Sequence, residues 1–265
     1  MSDRPADEAY VAAAWNRNAE RWSDDGRAGF DVYRDLFTFP AFLGFMPNIE
    51  GCQVQEIDCG EGTSTRQFAS RSAHLTGVDL AEAMIARAKA EEQREPLGIR
   101  YQLGSCARLP MFEDNGFDHA LSFMVFMDAP NLADIIRETH RLLKPGGALS
   151  FGILHPCFST PNYEWLQADG GDYRGLVVGH YFSGTPWIDR WRFGANPNHE
   201  TTALFEIPRF PRTLSDYVNI LADAGFRIER LAEPRPNEKI SAEHPSFQRW
   251  RDHAALVLFV RASKI

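Results

Sequence analysis

Residues 55–69 read QEIDCGEGTSTRQFA. A short apolar run closes at Ile57, glycines follow at 60 and 62, and hydroxyl residues then open a helix-forming stretch. Glycine just after a strand tolerates positive φ and lets main chain lie against a ligand, while the next helix N-terminus offers free N–H donors. Asp58 stands where loops of this kind usually carry their first glycine. Alone, the pattern suits a plain surface turn as well as a ligand loop, so its surroundings have to decide.

Outward from this loop, short β-like runs alternate with amphipathic helices. VQEI (54–57) is the first strand and TSTRQFASR (63–71) the helix after it. HLTGV (74–78) is the second strand, and AEAMIARAKAEEQ (81–93) has the Ala-rich 3.6-residue period of a helix. IRYQLG (99–104) and FDHALSFM (117–124) are strands three and four. NLADIIRETHRLL (131–143) is a helix stopped by Lys144, Pro145 and Gly146, and ALSFGIL (148–154) is a strand apolar enough for burial on both faces. TLSDYVNILADAGF (213–226) is a helix opened by Thr213 or Ser215 and ended at Gly225; RIERLAE (227–233) and HAALVLFVRASK (253–264) then pair as a hairpin-like antiparallel unit. The expected fold is α/β, a Rossmann-like doubly wound sheet of seven mostly parallel strands with one antiparallel edge partner.

Two regions fall outside this repeat. Residues 1–47 read as N-terminal helices, with WNRNAERW (15–22) and FDVYRDLF (30–37) showing aromatics at helical spacing. Residues 155–212 are rich in Gly, Pro and aromatics and read as an inserted cap. The expected organisation is a 1–47 cap segment, a core of 48–154 and 213–265, and a 155–212 substrate cap.

Composition bounds the function. Hydrophobic content of 44% and charged content of 24% are those of a globular domain. No apolar run approaches the roughly 20 residues of a membrane span. Four scattered cysteines make no disulfide framework or CxxC pair, and the acidic, polar start has no apolar secretory signal, so a cytoplasmic location is expected. A net charge of −8 with dispersed basic residues argues against nucleic-acid binding. Oligomeric state cannot be read from these features.

The loop also narrows its ligand. A G-x-G-x-x-G/A dinucleotide frame fails, because Thr65 stands three places after Gly62 and Asp58 spoils the earlier frame. Asp58 and Glu61 would oppose a doubly anionic pyrophosphate. A positively charged ligand without phosphate fits better. Asp79, ending strand two, can accept both hydroxyls of a ribose or cap the following helix. Asp58 has two readings as well, a contact to a cation or a turn residue that satisfies nearby N–H groups.

With Glu56-x-Asp58-x-Gly60-x-Gly62, GVDLAEAMIARAKA (77–90), GSCARLPMFEDNGFDHALSFMVFMD (104–128) and ETHRLLKPGGALSFGILHPCF (138–158), the sequence resembles the class I S-adenosylmethionine-dependent methyltransferases of the small-molecule type 11 kind. The resemblance covers residues 52–153 closely and 213–264 more loosely. It implies S-adenosylmethionine as cofactor and S-adenosylhomocysteine as product. It further implies ribose binding by Asp79, adenosine packing by Leu80 and Met84, and a place for Phe123 beside the methionine moiety. Glu56 and Asp58 would favour the ammonium, Gly60 and Gly62 would make room for main chain, and Trp22 joins the cofactor set. Ser105 stands where the family usually has an Asp that bonds the adenine amino group, with Cys106 beside it.

The expected reaction moves a methyl group to a small-molecule acceptor under the aromatic-rich cap. Its rivals are an NAD-type oxidoreductase, a macromolecule methyltransferase and a non-catalytic cofactor-binding protein; MVFM (124–127) lacks the Asn/Asp-Pro-Pro-aromatic motif of amino-methylating nucleic-acid enzymes. His155, at the end of strand five, is the candidate general base, with an anchor for the turn before Pro156 as the alternative. Trp15, Tyr33, His180, Tyr181 and Trp187 are candidate acceptor-pocket residues. Arg34, Arg190, Arg192, Arg209 and Arg212 are candidates to recognise an acidic acceptor. No metal site is expected, since His155, Cys157 and His180 have no specific ligand spacing.

Overall fold

Strand and helix periods alternate along the chain as the sequence predicts, and they assemble into one sheet covered on both faces. The computed structural model describes residues 7–71 and 73–265, so the first six residues of the expected N-terminal cap lie outside the described residues. Helix α1 (Glu8–Arg27) starts at Asp7, whose carboxylate accepts from the Tyr10 N–H. A π-turn at Arg34–Thr38 leads into α2 (Phe39–Phe45). Then come β1 (Gln53–Ile57), α3 (Thr63–Ala69), β2 (His74–Asp79), α4 (Glu82–Arg94), β3 (Arg100–Leu103), β4 (Phe117–Phe123), α5 (Leu132–Leu142) and β5 (Leu143–Leu154). The expected cap holds two separate ribbons, β6 (Asn162–Gln167) with β7 (Tyr173–Gly179) and β8 (Trp187–Trp191) with β9 (Phe205–Arg209). The chain ends with α6 (Leu214–Asp223), β10 (Phe226–Ala232), α7 (Glu238–Glu243), α8 (Gln248–Asp252) and β11 (Val257–Lys264).

The sheet order is β10-β11-β5-β4-β1-β2-β3. Pairings from β5 to β3 are parallel, and β11 runs antiparallel to both β5 and β10. The reversed strand therefore sits one place in from the edge, not at it. Its expected hairpin partner is not joined by a tight turn, because residues 233–256 leave the sheet and form α7 and α8. His253 to Leu256, expected as strand, are irregular.

Period two explains the layering. In β5, Leu149, Phe151 and Ile153 face one core with Leu132, Ile135 and Ile136 of α5 and Tyr217 and Leu221 of α6. In β11, Val257 and Phe259 face the other core, with Phe42 of α2, Phe68 of α3 and Ile85 of α4. In α5 the buried positions 132, 135, 136, 139 and 142 make a helical stripe. Helix α6 begins in a capping box of Thr213 and Asp216, and Gly225 takes a φ of 86° just beyond its end. No described helix is long and apolar enough to cross a membrane.

Candidate active site

Strand order reverses between β1 and β4, and in open α/β sheets ligands bind at the carboxyl ends beside such a reversal. A cavity of about 960 Å³ lies there. This is the upper end of the roughly 300–1,000 Å³ usual for ligand pockets. Its floor is built by the loops after β1, β2 and β4. Its walls come from α1, the π-turn, β8, and the segment that holds α8.

Each element of the 58–62 loop has a physical cause. Asp58 takes a φ of 49°, a left-handed conformation that costs most side chains about 1–2 kcal/mol and that Asp and Asn tolerate best. Gly60 has a φ of 57° on the cavity wall, and a Cβ there would meet nothing within 4 Å. Gly62 behaves differently from the sequence expectation. Its φ is 86°, but it does not line the cavity; a Cβ would lie 2.4 Å from Tyr101 Oη. Gly62 is thus glycine for close packing against β3.

Asp79 bonds to two backbone N–H groups. Its Oδ1 accepts from the Ala81 N–H at 2.7 Å at the start of α4, and its Oδ2 accepts from the Gly60 N–H at 2.8 Å. The carboxylate ties the β2 end to the glycine loop while remaining on the cavity wall. Burial pushes its pKa up to about 6.

Around it the site is crowded with acids. Burial, with Asp79 close by, raises Asp58 well above the ordinary carboxylate range, and Asp58 Oδ1 has no hydrogen-bond partner. Glu56 is buried behind the cavity wall, not on it. It accepts from Ser64 Oγ, its Oε2 is unpartnered, and burial raises its pKa to about 8. The Glu61 carboxylate is taken by the Thr63 N–H and hydroxyl, at 3.1 and 2.8 Å. Orphaned acceptors and mutually repelling carboxyls favour a cation with N–H donors. An S-adenosylmethionine ammonium and sulfonium would favour the ionised form of these crowded carboxyls, whereas a pyrophosphate would oppose it.

Leu80, Met84, Cys106 and Phe123 line the same cavity, as does Trp22. Trp22 also packs edge-on or tilted against Trp15, Trp191, Phe193 and Phe205, which pins α1 to β8 and β9. Ser105 does not face the cavity. Its hydroxyl donates to Glu8 Oε1, which also accepts from Asn131 Nδ2 at 2.9 Å. Glu8, from the first turn of α1, is on the cavity wall instead. Sequence reasoning missed it, since 97 residues separate the partners and no local period links them. Met124 was also missed. It sits on the wall with a φ of 61°, a strained conformation for a long side chain of the kind that gathers at functional sites.

The acceptor-side expectations divide. Trp15 and Tyr33 line the cavity. His155 does not: it is buried, its Nε2 is 2.7 Å from Glu233 Oε1, and its Nδ1 accepts from the Cys157 N–H. With both ring nitrogens engaged it anchors the turn before Pro156, so no lone pair faces an acceptor. His180 is exposed at a φ of 59°. Tyr181 and Trp187 line a separate crevice of about 30 Å³, where Tyr181 Oη accepts from the Leu214 N–H, tying the cap to α6.

All five arginines singled out in the sequence are committed. Arg34 meets Asp35 and the Gly26 carbonyl, Arg190 meets Glu206, and buried Arg209 bridges Asp128 and Asp189. Arg192 caps the carbonyls of His199, Glu200 and Thr202, and Arg212 those of Phe126 and Ala129. Among the described residues no cluster of His, Cys, Asp and Glu could hold a metal ion.

Residues 56–151 match the family described as "Methyltransferase domain". A sterol 24-C-methyltransferase of Gibberella zeae is 32% identical over 130 residues, 48% of this chain and 30% of the relative. A ubiquinone biosynthesis O-methyltransferase of Nitrosococcus oceani is 28% identical over 164 residues, 61% of this chain and 67% of the relative. The matched length is thus only 30% of one relative and 67% of the other. Among solved structures, an S-adenosylmethionine-dependent methyltransferase from Mesorhizobium loti superposes with a TM-score of 0.70 at 24% identity, covering 85% of this chain and 97% of that one, which shows a common fold. This chain carries a methyltransferase domain at residues 56–151, on a fold shared with a solved S-adenosylmethionine-dependent methyltransferase.

Proposed function

We propose that this protein transfers a methyl group from S-adenosylmethionine to a small-molecule acceptor held in the same cavity beneath the aromatic cap. The observation that carries this reading is the acidic loop: Asp58 Oδ1 on the cavity wall and Glu56 Oε2 just behind it are buried atoms without hydrogen-bond partners, beside an open glycine at position 60. When bound, S-adenosylmethionine supplies an electrophilic methyl group on a sulfonium. Asp79 accepts from the ribose hydroxyls and positions the nucleoside. Asp58 receives the ammonium, whose charge favours the ionised forms of Asp58 and of Glu56 behind it against the burial that raises both pKa values. Glu8, steadied by Ser105 and Asn131, accepts from the adenine amino group in place of the carboxylate absent at position 105. Trp22, Leu80, Met84, Cys106 and Phe123 exclude water around the cofactor. A volume of about 960 Å³ leaves space beside the cofactor for an acceptor against Trp15 and Tyr33. With His155 facing away from the cavity, the acceptor's proton leaves to water or is already absent on binding. These residues hold the reactants together, the largest contribution such a site offers.

Titration calorimetry tests the reading. S-adenosylhomocysteine is expected to bind at micromolar concentration while NAD does not. Asp79→Ala should weaken that binding by about 1–3 kcal/mol through lost charged hydrogen bonds. Binding of NAD without S-adenosylhomocysteine would overturn the proposal in favour of an oxidoreductase.

A further inference from the structure

Arg249, on α8, is a cavity arginine that the sequence did not single out. Each of the other cavity arginines is held by a carboxylate or by backbone carbonyls. Arg249 has neither among the described residues. Its Nε is buried with no partner, and its one hydrogen bond, Nη1 to Tyr173 Oη, is long at 3.4 Å. Aromatic rings hold the guanidinium in place instead: its Cζ lies 5.2 Å from the Trp165 ring centroid, 5.4 Å from Tyr173 and 5.8 Å from Trp250. Trp165 and Trp250 also stack edge to face at 4.9 Å.

A half-buried cation without a counter-ion is unfavourable unless something completes it. Stacking orients a guanidinium but leaves its N–H fork unsatisfied, and that fork matches a planar oxyanion. Nearby acids do not fill the role, because Asp189 on the same wall is taken by Arg209. Tyr33 and Tyr163 line the cavity alongside, giving flat apolar surfaces next to the charge. We propose that Arg249 receives a carboxylate of the methyl acceptor, so that the substrate class is a small ring-bearing acid. This rests on the reading of the cavity as an acceptor site and deepens it. The carboxylate would be bound at the α8 wall, apart from the Asp58–Asp79 floor whose negative charge repels it.

Benzoate and its neutral isostere benzamide probe the site in protein saturated with S-adenosylhomocysteine, with tryptophan fluorescence as readout because Trp165 and Trp250 flank the guanidinium. Benzoate is expected to bind at least tenfold tighter than benzamide. Arg249→Gln should abolish that preference, Arg249→Lys should keep part of it, and both should bind S-adenosylhomocysteine within twofold of the wild type, which also certifies their fold. Equal affinity of the two probes in the wild type, no benzoate binding, or a preference that survives Arg249→Gln would each overturn the inference. Failure of the wild type to bind S-adenosylhomocysteine would overturn the methyltransferase reading instead.

Discussion

Replacing Glu8 with Gln isolates the group proposed to read the adenine. In the structure Glu8 Oε1 is saturated by the Ser105 hydroxyl and the Asn131 amide, which leaves Oε2 as the acceptor available to a ligand. A hydrogen bond to a charged acceptor is worth about 1.5–3 kcal/mol. In Glu8→Gln the amide oxygen must stay with the two internal donors, so the amide N–H₂ turns to the cavity and meets the adenine amino group donor to donor. The expected loss in S-adenosylhomocysteine affinity is about 1.5–3 kcal/mol, roughly 10- to 150-fold. The inosine analogue, S-inosylhomocysteine, carries a carbonyl where adenine has its amine. Wild-type protein should reject it, whereas the glutamine variant should accept it, so the affinity ratio of the two ligands should shift by at least tenfold. Calorimetric titration of both ligands into both proteins measures that ratio. Loss of the first-turn charge also weakens α1 by about 0.3–1 kcal/mol, which affects both ligands equally and cancels in the ratio. A ratio unchanged by the substitution refutes the assignment and returns Glu8 to a purely structural tie between α1, Ser105 and Asn131.

Further outcomes follow from the same loop. Glu56 has a folded-state pKa of about 8 against an ordinary 4.5, so the folded protein binds this proton more tightly than the unfolded chain. Stability of the cofactor-free protein should therefore fall as pH rises between these values, by about 1.4 kcal/mol per pH unit for this group alone. Melting temperatures at pH 6 and pH 8 check it: the drop should shrink in Glu56→Gln, and an identical drop in both proteins counts against it. Asp58→Gly relieves a left-handed φ of 49° and should raise the melting temperature. It should also weaken S-adenosylhomocysteine binding by about 1–2 kcal/mol if the carboxylate meets the ammonium, whereas unchanged affinity returns Asp58 to turn chemistry. The two glycines should part company under alanine substitution. Gly62→Ala drives a Cβ into Tyr101 and should cost about 2–4 kcal/mol of stability. Gly60→Ala meets no clash and should cost only the about 1–2 kcal/mol of its left-handed φ while also reducing ligand affinity; equal melting points for the two variants would refute the distinction.

Much of the fold was legible because it is written in short periods. Leu149, Phe151 and Ile153 alternate, positions 132 to 142 repeat helically, and Thr213 announces a helix start. The cofactor side was legible for a similar reason: Asp58, Gly60 and Asp79 lie at strand ends, so locating the strands located the cavity floor. The acceptor side was not. His155 sits at a strand end too, yet Glu233, 78 residues away, takes its Nε2. Tyr181 and Trp187 were expected in the pocket because they are aromatic and lie in the cap, but aromatic character does not tell which side of a ribbon faces inward. Residues 238–252 were not recognised as helical, since α7 and α8 are too short to show a clear period.

The sequence by itself determined the order of most elements, the parallel strands and the place of the glycine loop after β1, because each shows in patterns within a few residues. Only the tertiary structure decided that β11 lies between β5 and β10, that Gly62 serves Tyr101, that Glu8 stands beside Ser105, and that Arg249 on the cavity wall meets no carboxylate among the described residues. Those outcomes are pairings between distant segments. Burial and charge compensation set them, and each depends on which partner the folded chain brings within a few ångströms.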